Sequence, residues 1–194
     1  MYNHIQGKLV EKTPTYVVID CNGVGYFINI SLFTYSQIGN SENCKVFTHL
    51  AVKEDAHTLF GFADEEERKL FRQLISVSGI GASTARMILS SLSPSEIQQA
   101  IINGDVALLQ SIKGIGTKTA QRVIIDLSDK LKKGELISGA PLVSNNRIKE
   151  QALSALVTLG FAKNTAEKTL DSVIKNKGRE LTVEQLIKLA LNNL

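Results

Sequence analysis

The sequence predicts a multi-domain α+β protein: a five-stranded β-barrel, an all-helical middle and a small three-helix bundle. Three observations carry this. Short runs rich in β-branched and aromatic residues fill the first third, helical periodicity takes over at Asp64, and three further amphipathic stretches follow an aperiodic segment from Gly134 to Asn146. The expected domains are residues 1–63, 64–134 and 147–194, with 135–146 as a flexible linker.

The strands are expected at Ile5 to Val10, Tyr16 to Cys21, Tyr26 to Ile30, Val46 to Val52 and Thr58 to Phe62. Asn22-Gly23 lies between the second and third, and Asn-Gly favours a type I′ hairpin because both central residues of that turn need positive φ. Ser31 to Ile38, closed by Gly39, reads as a short helix inserted before the fourth strand. A five-stranded barrel with such an insertion resembles an OB-fold.

At Asp64 the period changes from 2 to 3.6. Asp64 with Glu67 forms a capping-box pattern, and Leu70, Phe71, Leu74 and Ile75 then share one helical face. Glu65, Glu66 and Glu67 point about 100° apart on a helix, so they suit its positive N-terminal end better than a shared metal. Ser93-Pro94 with Glu96 starts another helix, Asn103-Gly104 ends it, and Asp105 caps the next. The last three helices are expected over Ile148 to Leu159, stopped by Gly160, Asn164 to Lys175, stopped by Gly178, and Thr182 to Leu191, where Thr182 with Gln185 makes a further capping box.

Composition narrows the function classes. With 194 residues, 43% of them hydrophobic and 21% charged, the chain can bury a core without metal or disulfide staples. No apolar run approaches the ~18 residues that span a bilayer, and the first dozen residues carry no export signal, so neither membrane insertion nor export is expected. Two cysteines, Cys21 and Cys44, cannot frame a disulfide scaffold and fit a reducing cytoplasmic setting. His4, His49 and His57 lack metal-ligand spacing with them, so no metal is expected. Net charge is +3 overall but changes along the chain, from −2 over residues 1–64 to +2 over 65–140 and +3 over 141–194. This balance is compatible with a polyanionic partner and too mild to identify one.

The informative feature is a repeat. Val77-Ser78-Gly79-Ile80-Gly81-Ala82-Ser83-Thr84-Ala85 matches Ile112-Lys113-Gly114-Ile115-Gly116-Thr117-Lys118-Thr119-Ala120, with the first glycines 35 residues apart. Each Gly-Ile-Gly joins two helical patterns and precedes a new helix start, where unpaired N–H groups and about half a positive charge form an anion seat. One copy could merely end one helix and begin another; two matched copies favour a shared ligand.

Other glycine-loop chemistries fail on spacing. A dinucleotide fingerprint needs a third small residue where Thr84 and Thr119 stand, and it follows a strand rather than a helix. A P-loop needs lysine directly after its last glycine, whereas Thr117 separates Gly116 from Lys118. Neither a nucleotide site nor any other cofactor is expected. The pair resembles a tandem helix-hairpin-helix unit, which holds DNA phosphates and not base edges. The expected phosphate-binding residues are Gly79, Ile80, Gly81, Ser83 and Thr84 in the first copy, and Gly114, Ile115, Gly116, Lys118, Thr119 and Arg122 in the second. The first copy departs from the usual pattern, since Ala82-Ser83 stands where a lysine is common.

With the hairpins placed, Gly23-Val24-Gly25-Tyr26, Val46-Phe47-Thr48-His49, Glu54-Asp55-Ala56-His57 and Phe60-Gly61-Phe62 become readable. Together with the hairpins they resemble the RuvA family, the Holliday-junction-binding subunits of bacterial branch migration complexes, over essentially the full length. The resemblance implies a homotetramer, or an octamer of two tetramers, around four-way junction DNA in recombination and repair. It also implies that the chain is no enzyme but an accessory subunit of an ATP-dependent helicase complex, whose hexameric RuvB partner hydrolyses the ATP. Glu54 and Asp55 match the family's acidic pin, and Lys53 beside them could hold a phosphate at the junction centre. The carboxy-terminal bundle would recruit RuvB. Leu159-Gly160-Phe161 is similar to the loop of ubiquitin-associated (UBA-like) bundles, and Leu156, Leu159, Phe161, Leu186 and Leu189 are candidates for the docking face, although core packing also accounts for most of them. Two alternatives remain open. One is a helix-hairpin-helix nuclease or glycosylase, for which only Lys118 with Asp126 could be offered; the other is a DNA scaffold without junction preference.

Overall fold

The computed structural model describes residues 2–39, 41–132, 144–177 and 181–193. These form two compact units, residues 1–138 and 139–194. The first unit opens with β1 (His4–Lys12), β2 (Tyr16–Cys21), β3 (Val24–Ile30), α1 (Leu32–Gln37), β4 (Asn43–Val52) and β5 (His57–Phe62). The strands close into a barrel in the order β1-β2-β3-β5-β4, with β3 and β5 parallel and the other pairs antiparallel. Asn22 and Gly23 have φ of 57° and 92°, as the β2–β3 turn requires, and the Asp20 carboxylate accepts from the Gly23 N–H at 3.0 Å. Strand alternation buries Val17, Ile19, Ile28, Ile30 and Val46 inside the barrel.

Five helices follow: α2 (Glu65–Ser76), α3 (Ala82–Ser91), α4 (Pro94–Asn103), α5 (Val106–Gln110) and α6 (Thr117–Lys132). The Ser93–Glu96 capping box and the left-handed Gly104 delimit α4, and Asp105 caps α5. A boundary near residue 64 is visible in periodicity, yet the helical core is closed by barrel residues, Phe60 and Phe62, beside the barrel's own interior cluster. Along β5, Leu59 packs toward the barrel interior while Phe60 and Phe62 face the helices. The Phe71 ring of α2 lies 4.8 Å from Phe62, 5.3 Å from Phe60 and 5.4 Å from His49, centroid to centroid. One strand thus serves two layers.

Glu67 departs from its expected role. Asp64 does cap α2, accepting from the Glu67 N–H at 2.7 Å, but the Glu67 carboxylate turns inward and does not reach back to the cap. It accepts from the Ser31 and Thr34 hydroxyls, both at 2.5 Å, and from the Ala63 N–H at 3.3 Å. A capping pattern cannot announce this, because the competing donors come from α1, more than thirty residues upstream.

The second unit contains α7 (Ser144–Thr158), α8 (Lys163–Lys177) and α9 (Val183–Leu191). Helix α7 begins inside the stretch read as linker; residues 133–143 lie outside the described residues. A Schellman motif ends it: Gly160, at φ 99°, donates to Val157 O at 3.0 Å, and Phe161 N–H donates to Leu156 O at 3.1 Å. Ala152, Leu156, Ala166, Leu170, Val173, Leu186 and Ala190 form the core. Among the described residues no helix is long and apolar enough to cross a membrane.

Burial, opposed by the three donors, leaves the Glu67 carboxyl above its ordinary value of 4.5. Between the ordinary and the raised value the native chain holds a proton that the unfolded chain has released. Stability should therefore fall as pH rises through that window. The Glu67→Gln variant should lack this part of the slope. Urea unfolding of both proteins across the window measures it, and parallel curves would contradict the assignment.

Candidate nucleic-acid interface

Each hairpin is built from the same local parts. In the first, α2 ends at Val77, the Ile80 N–H donates to Val77 O at 3.0 Å, and Gly79 takes φ of 94°. In the second, the Ile115 N–H donates to Ile112 O at 3.1 Å and Gly114 takes φ of 93°. That left-handed conformation is what reserves Gly79 and Gly114 for glycine. Val77, Ile80, Ile112 and Ile115 are buried in the helical core and pin both turns from below. Ile80 and Ile115, 5% and 6% exposed, can therefore offer a ligand only backbone.

Gly81 and Gly116 have a different reason to be glycine. Gly81, the cap residue of α3, has φ of −88° and no side-chain cap, and neither glycine would bring an added Cβ within 4 Å of other protein atoms. Nothing in the fold excludes a side chain there; the space in front of each helix start is open. The first intrahelical bonds run from Ala85 N–H to Gly81 O and from Ala120 N–H to Gly116 O, both at 2.9 Å. The amides of residues 82–84 and 117–119 therefore lack helical acceptors and form two matched seats for an anion.

The side chains around the seats are unequal. Lys118 is exposed beside the second, Thr119 is half-buried there, and exposed Lys113, which the repeat contains but site reading missed, precedes Gly114. Arg122 extends from α6 and its Nη1 donates to Ser78 O at 3.2 Å, so it joins the two hairpins. At the first seat Ser83 is exposed and Thr84 half-buried, with no lysine at the helix start. Arg86 lies one turn further along α3, but its guanidinium turns to the barrel, donating to Asn29 Oδ1 at 2.8 Å and Thr15 O at 3.3 Å.

Lys53, Glu54 and Asp55 occupy the exposed β4–β5 turn, closed by the Lys53 N–H donating to Ala56 O at 2.8 Å. Six rungs of antiparallel pairing, from Phe47↔Phe62 to Val52↔His57, hold that turn at the end of a stiff ribbon. The two carboxylates make no ion pair with any described residue. In the carboxy-terminal unit Leu156 and Leu186, 0% and 1% exposed, belong to the core and not to a docking face. Phe161 and Leu189 pack partly against that core, Phe161 closing the Schellman motif, and Leu159 is 62% exposed. Among the described residues no group of His, Cys, Asp or Glu is placed to hold a metal.

Three family models cover nearly the whole chain: the RuvA N terminal domain over residues 1–61, the SAM-like helix-hairpin-helix tandem over 71–129, and the RuvA C-terminal domain over 148–194. The chain belongs to the RuvA family. Relatives called Holliday junction branch migration complex subunit RuvA are similar from end to end: that of Christiangramia forsetii is 56% identical and that of Flavobacterium psychrophilum 54%, each covering 100% of both chains. The relative from Parabacteroides distasonis is 48% identical over the same full coverage. The family's helix-hairpin-helix span includes both Gly-Ile-Gly turns, and its N-terminal span includes the β4–β5 turn with Glu54 and Asp55.

The two glycine classes should separate on substitution. Gly79→Ala and Gly114→Ala force a Cβ into a left-handed conformation and should each cost about 1–2 kcal/mol. Gly81→Ser and Gly116→Ser introduce a side-chain oxygen that can cap the free amides, so stability should hold or rise by a few tenths of a kcal/mol. Urea unfolding of the four variants provides the check; equal losses in all four would show that the second glycines are also structural.

Proposed function

We propose that this chain is a non-catalytic DNA-binding subunit that holds four-way Holliday junctions without regard to sequence, keeps them open, and recruits the RuvB ATPase motor for branch migration in recombination and repair. The observation that carries the proposal is the pair of open amide seats, matched in backbone geometry and pinned to a helical core that Phe60 and Phe62 of the barrel join. Phosphates are the anions a duplex presents at regular spacing, and backbone amides bind them without reading bases. Lys113, Lys118 and Arg122 add charge at the second seat.

Junction preference comes from the β4–β5 turn. A carboxylate ~5 Å from a phosphate costs roughly 1 kcal/mol in bulk water and ~3 kcal/mol at an effective dielectric of 20. In a homotetramer, four copies of Glu54 and Asp55 meet at the centre, repel a continuous duplex and favour strands that part there, while Lys53 receives a phosphate already turned outward. An octamer of two such tetramers would enclose the junction from both sides. The carboxy-terminal unit supplies the RuvB contact, with Leu159 its most exposed apolar candidate and Phe161 and Leu189 at its margin. ATP hydrolysis belongs to RuvB. Against the nuclease or glycosylase alternative, the pair it would use, Lys118 and Asp126, stands eight residues apart on α6, about 12 Å along its axis.

Band shifts with four-way and linear DNA of equal length, over a salt series, test this. The natural chain should favour the junction, and Glu54→Gln with Asp55→Asn should narrow the preference while leaving duplex affinity equal or higher. A preference untouched by that double change would remove the acidic turn from the mechanism. Equal affinity of the natural chain for both DNAs would leave only a general DNA scaffold.

A further inference from the structure

Arg86 is the only cation on α3, the helix whose start forms the first seat, and that seat lacks the lysine of its counterpart. Its charge would be expected to compensate. The structure directs it elsewhere. Nη1 donates to Asn29 Oδ1 at 2.8 Å and to Thr15 O at 3.3 Å, two acceptors supplied by the barrel. Both acceptors are themselves fixed: Asn29 Nδ2 donates to Leu59 O at 3.3 Å, and Thr15 O also accepts the Ile30 N–H at 3.0 Å. One helical turn on, Ser90 Oγ accepts the Leu32 N–H at 3.1 Å, giving α3 a second attachment on the same face. Helix α3 is thus bolted to the barrel at residue 86 and to the start of α1 at residue 90, while its first turn is left open.

We propose that Arg86 is a positioning residue, which holds the first phosphate seat in fixed register with the barrel turn carrying Glu54 and Asp55 and does not itself bind phosphate. The proposal rests on the junction-binding reading above. A linear duplex needs only the hairpins. A junction must satisfy the seats and the acidic turn together, and that second engagement gains from a scaffold in which their separation is already set. Loosening the bolt should therefore spare duplex binding and weaken discrimination.

The experiment measures affinities for four-way and linear DNA over a salt series, with thermal midpoints, for the natural full-length chain and for Arg86→Gln, Asn29→Ala, their combination, and Lys118→Gln as the phosphate-side control. The expected result for Arg86→Gln is a loss of about threefold or more in junction-over-duplex preference with an unchanged salt slope on duplex. Asn29→Ala, which keeps the charge and removes its acceptor, should give the same loss, and the combination should be no worse than the worse single change. Lys118→Gln should lower the salt slope by about 0.9 on both DNAs. A similar drop in slope for Arg86→Gln would make Arg86 a phosphate ligand and overturn the proposal. So would a fall in thermal midpoint with preference intact in both single variants. A natural chain with no junction preference would overturn the reading beneath it as well, and is distinguished because that result precedes any substitution.

Discussion

A helix cannot satisfy its own first amides, and in the helical layer of the first unit α3 and α6 leave them open in the same way. Helices α3 and α6 both start after a glycine that the surrounding protein does not require, above a turn held by a buried isoleucine and a left-handed glycine. The left-handed glycine sets the turn and the second glycine leaves the seat clear. A side-chain cap such as Ser93 gives α4, or Asp105 gives α5, would fill the same position with the protein's own oxygen. The contrast between capped and uncapped helices within one domain is what separates binding geometry from ordinary helix punctuation.

Amides bind usefully only if they are held still, and the packing of the helical core onto β5 provides this. Strand β5 contributes to the barrel interior through Leu59 and to the helical layer through Phe60 and Phe62, so the strand that leaves the acidic turn also anchors α2. Polar contacts reinforce the junction of the two layers. Arg68 is buried, with Nη1 donating to Asn3 O at 2.6 Å and Thr48 O at 3.3 Å and Nη2 paired with Glu65, while Glu67 ties α1 to α2. Such buried charges contribute little net stability when satisfied, but removing one partner is costly, so they resist any rearrangement that would separate the layers.

Local chemistry made most of the fold legible. The alternation of Val17, Ile19, Ile28 and Ile30, the Asn22-Gly23 turn and the Ser93–Glu96 box each act over a few residues, and each lies where the pattern placed it. What the pattern missed depends on partners distant in the chain. Glu67 reads as a capping residue until Ser31 and Thr34 are brought beside it, and Arg86 carries no mark that its partners are Asn29 and Thr15. Leu156 and Leu186 have the spacing of a docking face and that of a core, and only packing decides between them. The acidic turn was legible through family resemblance alone, since Glu54-Asp55 on any other ribbon is an ordinary polar turn.

The central claim is that backbone amides at both helix starts contact DNA phosphate, including at the first hairpin, where no lysine assists. Backbone amide resonances of residues 82–84 and 117–119, followed by NMR while short duplex is added, test this most directly. The account predicts that both sets shift together and saturate at the same DNA ratio. Shifts confined to the surroundings of Lys113, Lys118 and Arg122, with residues 82–84 unmoved, would contradict it.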